Sequence, residues 1–102
     1  MTIANIRDVA RGFKVLQTTQ KSQTAMMVLE VGGASSEEEN VHENSDQILL
    51  VIEGEVHGEI GKEKKVLREG DFCLIPAGTP HRFENKGEKK AVTFNVYSPP
   101  EY

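Results

Sequence analysis

The sequence predicts an all-β fold, either a sandwich or a closed barrel. Its apolar residues recur mostly with a period of two, which is typical of strands, and not with the 3.6-residue period of helices. The segments with this period are short and are separated by Gly, Pro, Asn and Asp. Many short strands within 102 residues can bury their apolar faces only by packing sheet on sheet or by closing into a barrel, and closure also removes exposed edges.

Six strands and one shorter extended piece follow in chain order. The strands are predicted at 24–31, 47–52, 55–60, 64–69, 71–76 and 91–97, and the extended piece at 81–85. Gly54, between the second and third strands, supports these bounds because a tight reversal needs the positive φ that glycine adopts readily. The first 23 residues are expected to add an edge strand, with a turn of helix near "NIRDVARGF".

Length and charge limit the possible functions. The 102 residues are enough for a single domain, 1–102, with one modest core. The net charge of −4 is spread over intermixed acidic and basic side chains, which argues against a nucleic-acid partner. No apolar run approaches the roughly 18 residues of a membrane span and no signal peptide is evident, so we expect a cytoplasmic protein without a membrane partner. Cys73, the single cysteine, lies in the apolar run "FCLI" and is expected to be buried and unreactive.

Strand alternation predicts two inward-facing polar side chains. His81 shares a face with the apolar Phe83, and Gln47 shares a face with Leu49. His57, in contrast, alternates with apolar neighbours and is expected on a solvated face. A buried amide or imidazole without a partner costs on the order of 1–3 kcal/mol, so a metal, a water or a ligand should pair with the two inward groups.

The stretch "REGDFCLIPAGTPHRFEN" resembles the second motif of the cupin family. That motif runs glycine, five residues, proline, one residue, glycine, two residues, histidine, three residues, asparagine. At these places the sequence has Gly70, Pro76, Gly78, His81 and Asn85. All five positions match.

The family's first motif is matched only in part. It runs glycine, five residues, histidine, one residue, histidine, three or four residues, glutamate, six residues, glycine. Ending the motif on Gly54 places Gln47 where glutamate is usual and His42 at the second histidine. The first histidine position falls on Asn40, or on Glu39 if the loop register shifts by one residue.

The resemblance covers about residues 24–98 and implies a small jelly-roll barrel of the double-stranded β-helix kind. In the family, three histidines and a glutamate converge on a divalent metal ion inside the barrel. Carried over to this sequence, the ligands are His42, Gln47 and His81, with Asn40 in the remaining place. The implied ion is Mn, Fe, Ni or Zn, all of which accept imidazole.

This ligand set contains no anionic group, which predicts weaker metal binding than in a carboxylate-containing site. The bound ion would keep its full double charge and would polarise an anion or carbonyl strongly, favouring sugar acids, oxo acids or phosphate. Glu39 in place of Asn40 would restore the two-histidine, one-carboxylate set of non-haem iron oxygenases. Asp46 and Glu43 are expected outside the site. In the metal-free alternative, His42 and His81 hydrogen-bond to water or to Gln47.

Three functions are compatible with these residues. The first is a metal-dependent isomerase, lyase or dioxygenase that acts on a small polar organic ligand. The second is a non-catalytic ligand-binding or sensing module, and the third is a structural protein with a vestigial pocket. The pocket is predicted to be lined by Phe72, Phe83, Phe94 and Tyr97. The resemblance also implies a homodimer that pairs through its sheets.

Overall fold

The computed structural model describes residues 1–102 and contains one helical turn and eight strands. The turn is a 3₁₀ helix, Ile6–Asp8. The strands are β1 Gly12–Thr18, β2 Gln23–Leu29, β3 Asp46–Glu53, β4 Glu55–Ile60, β5 Glu63–Arg68, β6 Phe72–Ile75, β7 His81–Glu84 and β8 Ala91–Ser98. No helix has the length and apolar character needed to cross a membrane.

The strands form two antiparallel sheets that face each other. The larger sheet has the order β1, β2, β8, β3, β6, and the smaller has the order β5, β4, β7. The chain passes from the larger sheet to the smaller at Gly54, where φ is +78°. A side chain at Gly54 would place its Cβ 2.6 Å from the Lys90 carbonyl oxygen, so only glycine fits this crossing. This arrangement confirms the predicted all-β jelly roll.

The main core lies between the two sheets. Its buried residues are Met27, Leu29, Leu49, Val51, Val56, Leu67, Ile75, Phe83 and Ala91. Phe83 fills the space over Gly58, where an added Cβ would come within 2.9 Å of the Phe83 ring. Cys73 packs at the margin of this core, and burial raises the pKa of its thiol, which keeps it protonated and unreactive.

A second, smaller core covers part of the outer face of the larger sheet. Val9, from the N-terminal segment, packs there with Met26 and Val28. Phe94 and Val92 of β8 also contact this cluster. Val9 therefore covers one half of that outer face together with Ile52 at the end of β3, while the half formed by Ile48 of β3 and by β6 is uncovered.

The strand predictions agree with the structure to within one or two residues. The predicted 55–60 strand coincides with β4, and the predicted 91–97 strand is one residue shorter than β8. The extended piece at 81–85 is β7, a full member of the smaller sheet. At the N-terminus, the helical turn falls within "NIRDVARGF", and β1 begins at Gly12 at the edge of the larger sheet.

Candidate metal and ligand site

A cavity of about 380 Å³ opens between the sheets, on the side where β7 faces β2 and β8. Its thirteen lining residues include none of Asp, Glu, Lys or Arg. They are Gly12, Phe13, Met27, Val28, Leu29, Ala34, Ser35, Asn40, Gln47, His81, Phe83, Tyr97 and Tyr102. The polar groups on this wall are therefore neutral side chains, with His81 as the one imidazole.

His81 begins β7 and is fixed by its backbone and by its ring. Its N–H donates to the Asn40 carbonyl at 2.9 Å, and the Asn40 N–H donates back to the His81 carbonyl at 2.7 Å. The ring Nδ1 lies 2.9 Å from the Thr79 carbonyl oxygen. Because a carbonyl oxygen can only accept, Nδ1 carries the hydrogen and Nε2 keeps its lone pair. His81 thus has one nitrogen free to bind.

The charge state of His81 favours metal binding. Burial lowers its pKa, the hydrogen bond to Thr79 opposes this effect, and the neighbouring His42 lowers the pKa further. A lowered pKa keeps the ring neutral at neutral pH. The neutral ring is the form that coordinates a metal ion.

A chain of hydrogen bonds fixes the side-chain amide of Gln47. The Thr93 hydroxyl donates to the Met27 carbonyl at 2.8 Å, so it accepts from Asn95 Nδ2 at 3.1 Å. Asn95 Oδ1 therefore accepts from Gln47 Nε2, at 3.0 Å. Gln47 Oε1 is left buried without a hydrogen-bond partner. A buried oxygen without a partner lowers the stability of the fold unless a water, a ligand or a metal ion binds to it.

His42 lies beside His81 but is set back from the cavity wall. It is 4 % exposed, and its ring centroid is 4.9 Å from that of His81. Tyr97 meets it edge-on at 5.2 Å. The backbone N–H of Gly78 donates to the His42 carbonyl at 2.8 Å, which joins the turn of the second motif to the loop of the first.

The structure brings Asn40, and not Glu39, to the cavity. Asn40 lines the wall and pairs with the His81 backbone, while Glu39 is exposed. The Asn40 Oδ1 accepts from the next backbone N–H, that of Val41, at 3.1 Å. Asp46 and Glu43 are both exposed, as expected. Asp46 accepts from the Ala77 N–H on the far side of β3 from Gln47.

The structure places two of the four aromatic residues predicted for the pocket at the cavity. Phe83 and Tyr97 line the cavity. The prediction was wrong for Phe72 and Phe94, because strand alternation turns both to the outer face of the larger sheet. Phe72 is 73 % exposed on β6, and Phe94 packs in the outer cluster with Val9.

Five further residues shape the site and were not predicted. They are Gln23, Thr93, Asn95, Glu101 and Tyr102. A period of two in "AVTFNVY" could have revealed the inward Thr93 and Asn95, because both share a face with Tyr97. The two C-terminal residues reach the site from outside any strand, so no periodicity signals them.

The cavity also holds two tyrosines that stay protonated. Burial raises the pKa of Tyr97 and also that of Tyr102, and the two rings meet edge-on with their centroids 5.2 Å apart. Neutral phenols of this kind can donate hydrogen bonds to a bound oxygen.

Comparison with known proteins assigns the family. Residues 25–97 match the family model described as "Cupin domain". The chain belongs to the cupin family. A curated relative of this cupin is quercetin 2,3-dioxygenase of Bacillus subtilis (strain 168), which is 32 % identical over 50 residues. The match covers 49 % of this chain but only 15 % of that enzyme.

Solved structures match the cupin over nearly its whole length. TT1209 from Thermus thermophilus has a TM-score of 0.84 at 28 % identity, with 97 % of this chain and 98 % of that chain covered. BH2720 from Bacillus halodurans has a TM-score of 0.89 at 26 % identity, with 98 % and 82 % covered. The same barrel therefore recurs in chains of similar size.

The residues of this cupin fit a metal ion only if amide oxygens take part. No group of three or more His, Cys, Asp or Glu side chains comes together closely enough to hold one. The two histidines and the orphaned Gln47 Oε1 are donor atoms of the right kind, imidazole nitrogen and carbonyl oxygen. The unpartnered Gln47 oxygen is the observation in favour of the fit.

The third histidine, His57, belongs to a different surface. It lies on the outer face of the smaller sheet, directly opposite Glu84 on β7. The groove around it is lined by charged side chains such as Lys65 and Arg82. His57 thus faces away from the cavity and offers a natural control for the other two histidines.

Proposed function

We propose that this cupin binds a divalent metal ion through His42, Gln47 and His81, with Asn40 beside the ion. The single observation that carries the proposal is the buried Gln47 oxygen, which is aimed by a fixed hydrogen-bond chain and lacks a partner. His81 supports it with a neutral ring whose Nε2 is free. Mn, Fe, Ni and Zn are the candidate ions, because imidazole suits each of them.

The charge of the cavity wall indicates the class of ligand. No cationic side chain lines the cavity, so an acidic ligand would gain its electrostatic attraction from the metal ion alone. An ion held without a carboxylate on the wall keeps its full double charge. We therefore propose a small polar organic anion, such as a sugar acid or oxo acid, with Tyr97 and Tyr102 as hydrogen-bond donors.

A bound metal would supply Lewis-acid polarisation of a ligand oxygen, which suits isomerase or lyase chemistry, and iron would supply the redox chemistry of a dioxygenase. The protein's own residues would orient the ligand and exclude water around it. The apolar side chains of Met27, Leu29 and Phe83 form the part of the wall that would exclude water. Similarity to a quercetin 2,3-dioxygenase makes oxygenation the first reaction to assay.

Metal analysis of the purified protein tests the proposal. Protein prepared without added metal is analysed for bound ions and then titrated with Mn²⁺, Fe²⁺, Ni²⁺ and Zn²⁺ by calorimetry. We expect one ion per chain. His81→Ala should abolish metal binding. Loss of a residue that only supports a ligand lowers metal affinity by about 10–100-fold, and loss of the ligand itself should lower it further.

His57→Ala is the matched control, because it removes a histidine from the outer face and leaves the cavity intact. It should bind metal as the unmodified protein does. Absence of stoichiometric binding for all four ions would overturn the metal proposal. Equal loss in both alanine variants would show that binding does not occur in the cavity.

A metal-free binding or sensing module is the second candidate. It is favoured by the hydrogen-bond chain through Thr93 and Asn95, which already satisfies the other polar atoms behind Gln47. Without a metal ion the wall carries no positive charge, so the ligand would be a neutral polar molecule that donates to Gln47 Oε1. Calorimetry with neutral sugars against the corresponding acids, in the presence of a chelator, separates the two candidates.

We also propose that the protein forms a homodimer through the uncovered half of the larger sheet. Ile48 and Leu74 pair across β3 and β6 on that face and are 43 % and 59 % exposed. Phe72, beside them, is the most exposed large apolar side chain outside the termini, at 73 %. A contiguous apolar patch at a sheet edge is typical of an interface.

A further inference from the structure

We infer that Glu101 is a positioning residue for His42, fixing which ring nitrogen is free to bind in the site. The effect of Glu101 on metal binding rests on the proposed function. The contact between Glu101 and His42 does not, because it exists without a metal ion. Glu101 Oε1 lies 3.0 Å from His42 Nδ1. No protein group is hydrogen-bonded to that nitrogen, and the nitrogen is buried.

The contact with Glu101 determines which ring nitrogen of His42 carries the hydrogen. A bare Nδ1 lone pair at 3.0 Å from a carboxylate oxygen would be repelled, so the hydrogen belongs on Nδ1. In the structure the Glu101 carboxylate lies to one side of the direction in which the His42 Nδ1–H bond points. A small rotation of the carboxylate into that direction would give the buried Nδ1 a hydrogen-bond partner. Nε2 is then left with its lone pair.

His81 shows the same arrangement with a different partner. Its Nδ1 donates to the Thr79 carbonyl, so its Nε2 is also free. Metal-binding histidines usually hold their second nitrogen against a carboxylate or a carbonyl in this way. The two neighbouring rings would thus offer equivalent nitrogens, one held by the backbone and one by Glu101.

Two buried polar side chains hold Glu101 in place, which argues against a chance surface contact. Gln23, only 2 % exposed, accepts from the backbone N–H groups of Glu101 and Tyr102 and donates to the Tyr102 carbonyl at 2.7 Å. Ser45, 1 % exposed, donates to the Pro99 carbonyl at 2.7 Å and lies 3.3 Å from Glu101 Oε2. Residues 99–102 are therefore fastened beside His42.

The position of Glu101 also argues against a direct ligand role. Its two carboxylate oxygens already face His42 and Ser45. Glu101 also does not form a metal-holding group with the two histidines. Its carboxylate therefore acts through His42.

Nitrogen NMR of the metal-free protein tests the inference. At about pH 8, above the ordinary histidine pKa, long-range ¹H–¹⁵N correlations distinguish the two neutral tautomers of each ring. We expect both His42 and His81 to carry the hydrogen on Nδ1. Glu101→Ala should move His42 to a mixture or to the Nε2–H form, while His81 stays unchanged because its partner is the Thr79 carbonyl.

The unchanged His81 and His57 signals also report that the variant is folded. Glu43→Ala, which removes an exposed carboxylate next to His42 in sequence, should leave the His42 tautomer as it is. An Nε2–H form of His42 in the unmodified protein, or an Nδ1–H form that persists in Glu101→Ala, would overturn the inference.

Metal titration of the same variants separates this inference from the proposed function. If the unmodified protein binds metal, Glu101→Ala should weaken binding by about 10–100-fold and Glu43→Ala should not. If no ion binds but the His42 tautomer depends on Glu101, the metal proposal fails and the positioning role stands. If metal binds equally well in Glu101→Ala, the positioning role is refuted.

Discussion

At the scale of single residues, the orientation of one amide determines the chemistry that the site can offer. The Asn95 amide nitrogen donates to Thr93, so the Asn95 oxygen is left to accept from Gln47 Nε2. Gln47 must therefore point its amide nitrogen toward Asn95 and its oxygen away from it. A glutamate at this position would set a carboxylate oxygen against the Asn95 carbonyl oxygen. The amide is thus the residue that matches the chain of hydrogen bonds behind it.

Gln47→Glu should therefore have opposite effects with and without metal. In the presence of a chelator, we expect the free energy of unfolding to fall by about 1–3 kcal/mol, because the new carboxylate is buried against the Asn95 oxygen, which is also an acceptor. With metal, we expect affinity to rise at least about tenfold, because the variant adds an anionic ligand. Urea unfolding and calorimetry measure the two effects.

Gln20→Glu makes the same chemical change in an exposed turn and should alter neither quantity. A Gln47→Glu variant that binds metal no more tightly than the unmodified protein would show that the residue 47 oxygen is not a ligand. Its stability in chelator would still report on the hydrogen-bond chain.

Sequence could predict the residues on strands and not those whose role depends on distant contacts. His81 and Gln47 share faces with apolar neighbours, so a period of two places both inside, and the cavity wall includes both. The relation between His42 and Glu101 depends on the path of residues 99–102, which have no repeating pattern. The sequence therefore predicts the donor set of the strands but not the carboxylate behind His42.

At the scale of elements, the motif around β7 acts mainly through its asparagine. Asn85 is fully buried, and its amide donates to the carbonyls of Leu29 and Lys89, both at 2.9 Å. Its Oδ1 accepts from the Gly87 N–H, also at 2.9 Å. Because Leu29 ends β2 and Asn85 follows β7, this side chain fastens one sheet to the other at the end of the strand that carries His81.

Asn85→Ala should destabilise the fold by on the order of 1–3 kcal/mol, because it leaves two carbonyls and one N–H without their partner. Chemical denaturation measures the change. Asn44→Ala, at an exposed loop position, is the matched control and should fall within about 0.5 kcal/mol of the unmodified protein. Equal stability of the two variants would mean that water replaces Asn85 at no cost.

The errors in the predicted lining also arise at this scale. A strand alternates its side chains, so β8 sends Thr93, Asn95 and Tyr97 inward and Phe94 outward. The aromatic character of Phe94 and Phe72 suggested a pocket, but their strand positions decided otherwise. Position within a strand is thus a stronger guide to the site than residue type is.

At the scale of the whole molecule, the two halves of the larger sheet's outer face differ. The N-terminal segment covers the half formed by β2 and β8, where Val9 packs on Met26. Ile48 of β3 and the outer side chains of β6 have no cover within the chain, and β6 is an edge strand with exposed apolar side chains. A twofold-related second copy would cover this half in both chains with the same patch, which is the commonest way to form a dimer.

Lysine substitutions on this face test the dimer. Phe72→Lys or Leu74→Lys would place two like charges across a twofold axis and bury them, so each should raise the dimer dissociation constant at least about tenfold, equivalent to about 1.4 kcal/mol. Light scattering during size-exclusion chromatography should give about twice the 11.3 kDa chain mass for the unmodified protein and a lower mass for the variants. Val31→Lys changes an equally exposed apolar side chain that lies outside the patch, at 57 % exposure, and should remain dimeric. A monomeric unmodified protein, or lysine variants that dimerise as tightly as Val31→Lys, would leave the β3 and β6 face without this role.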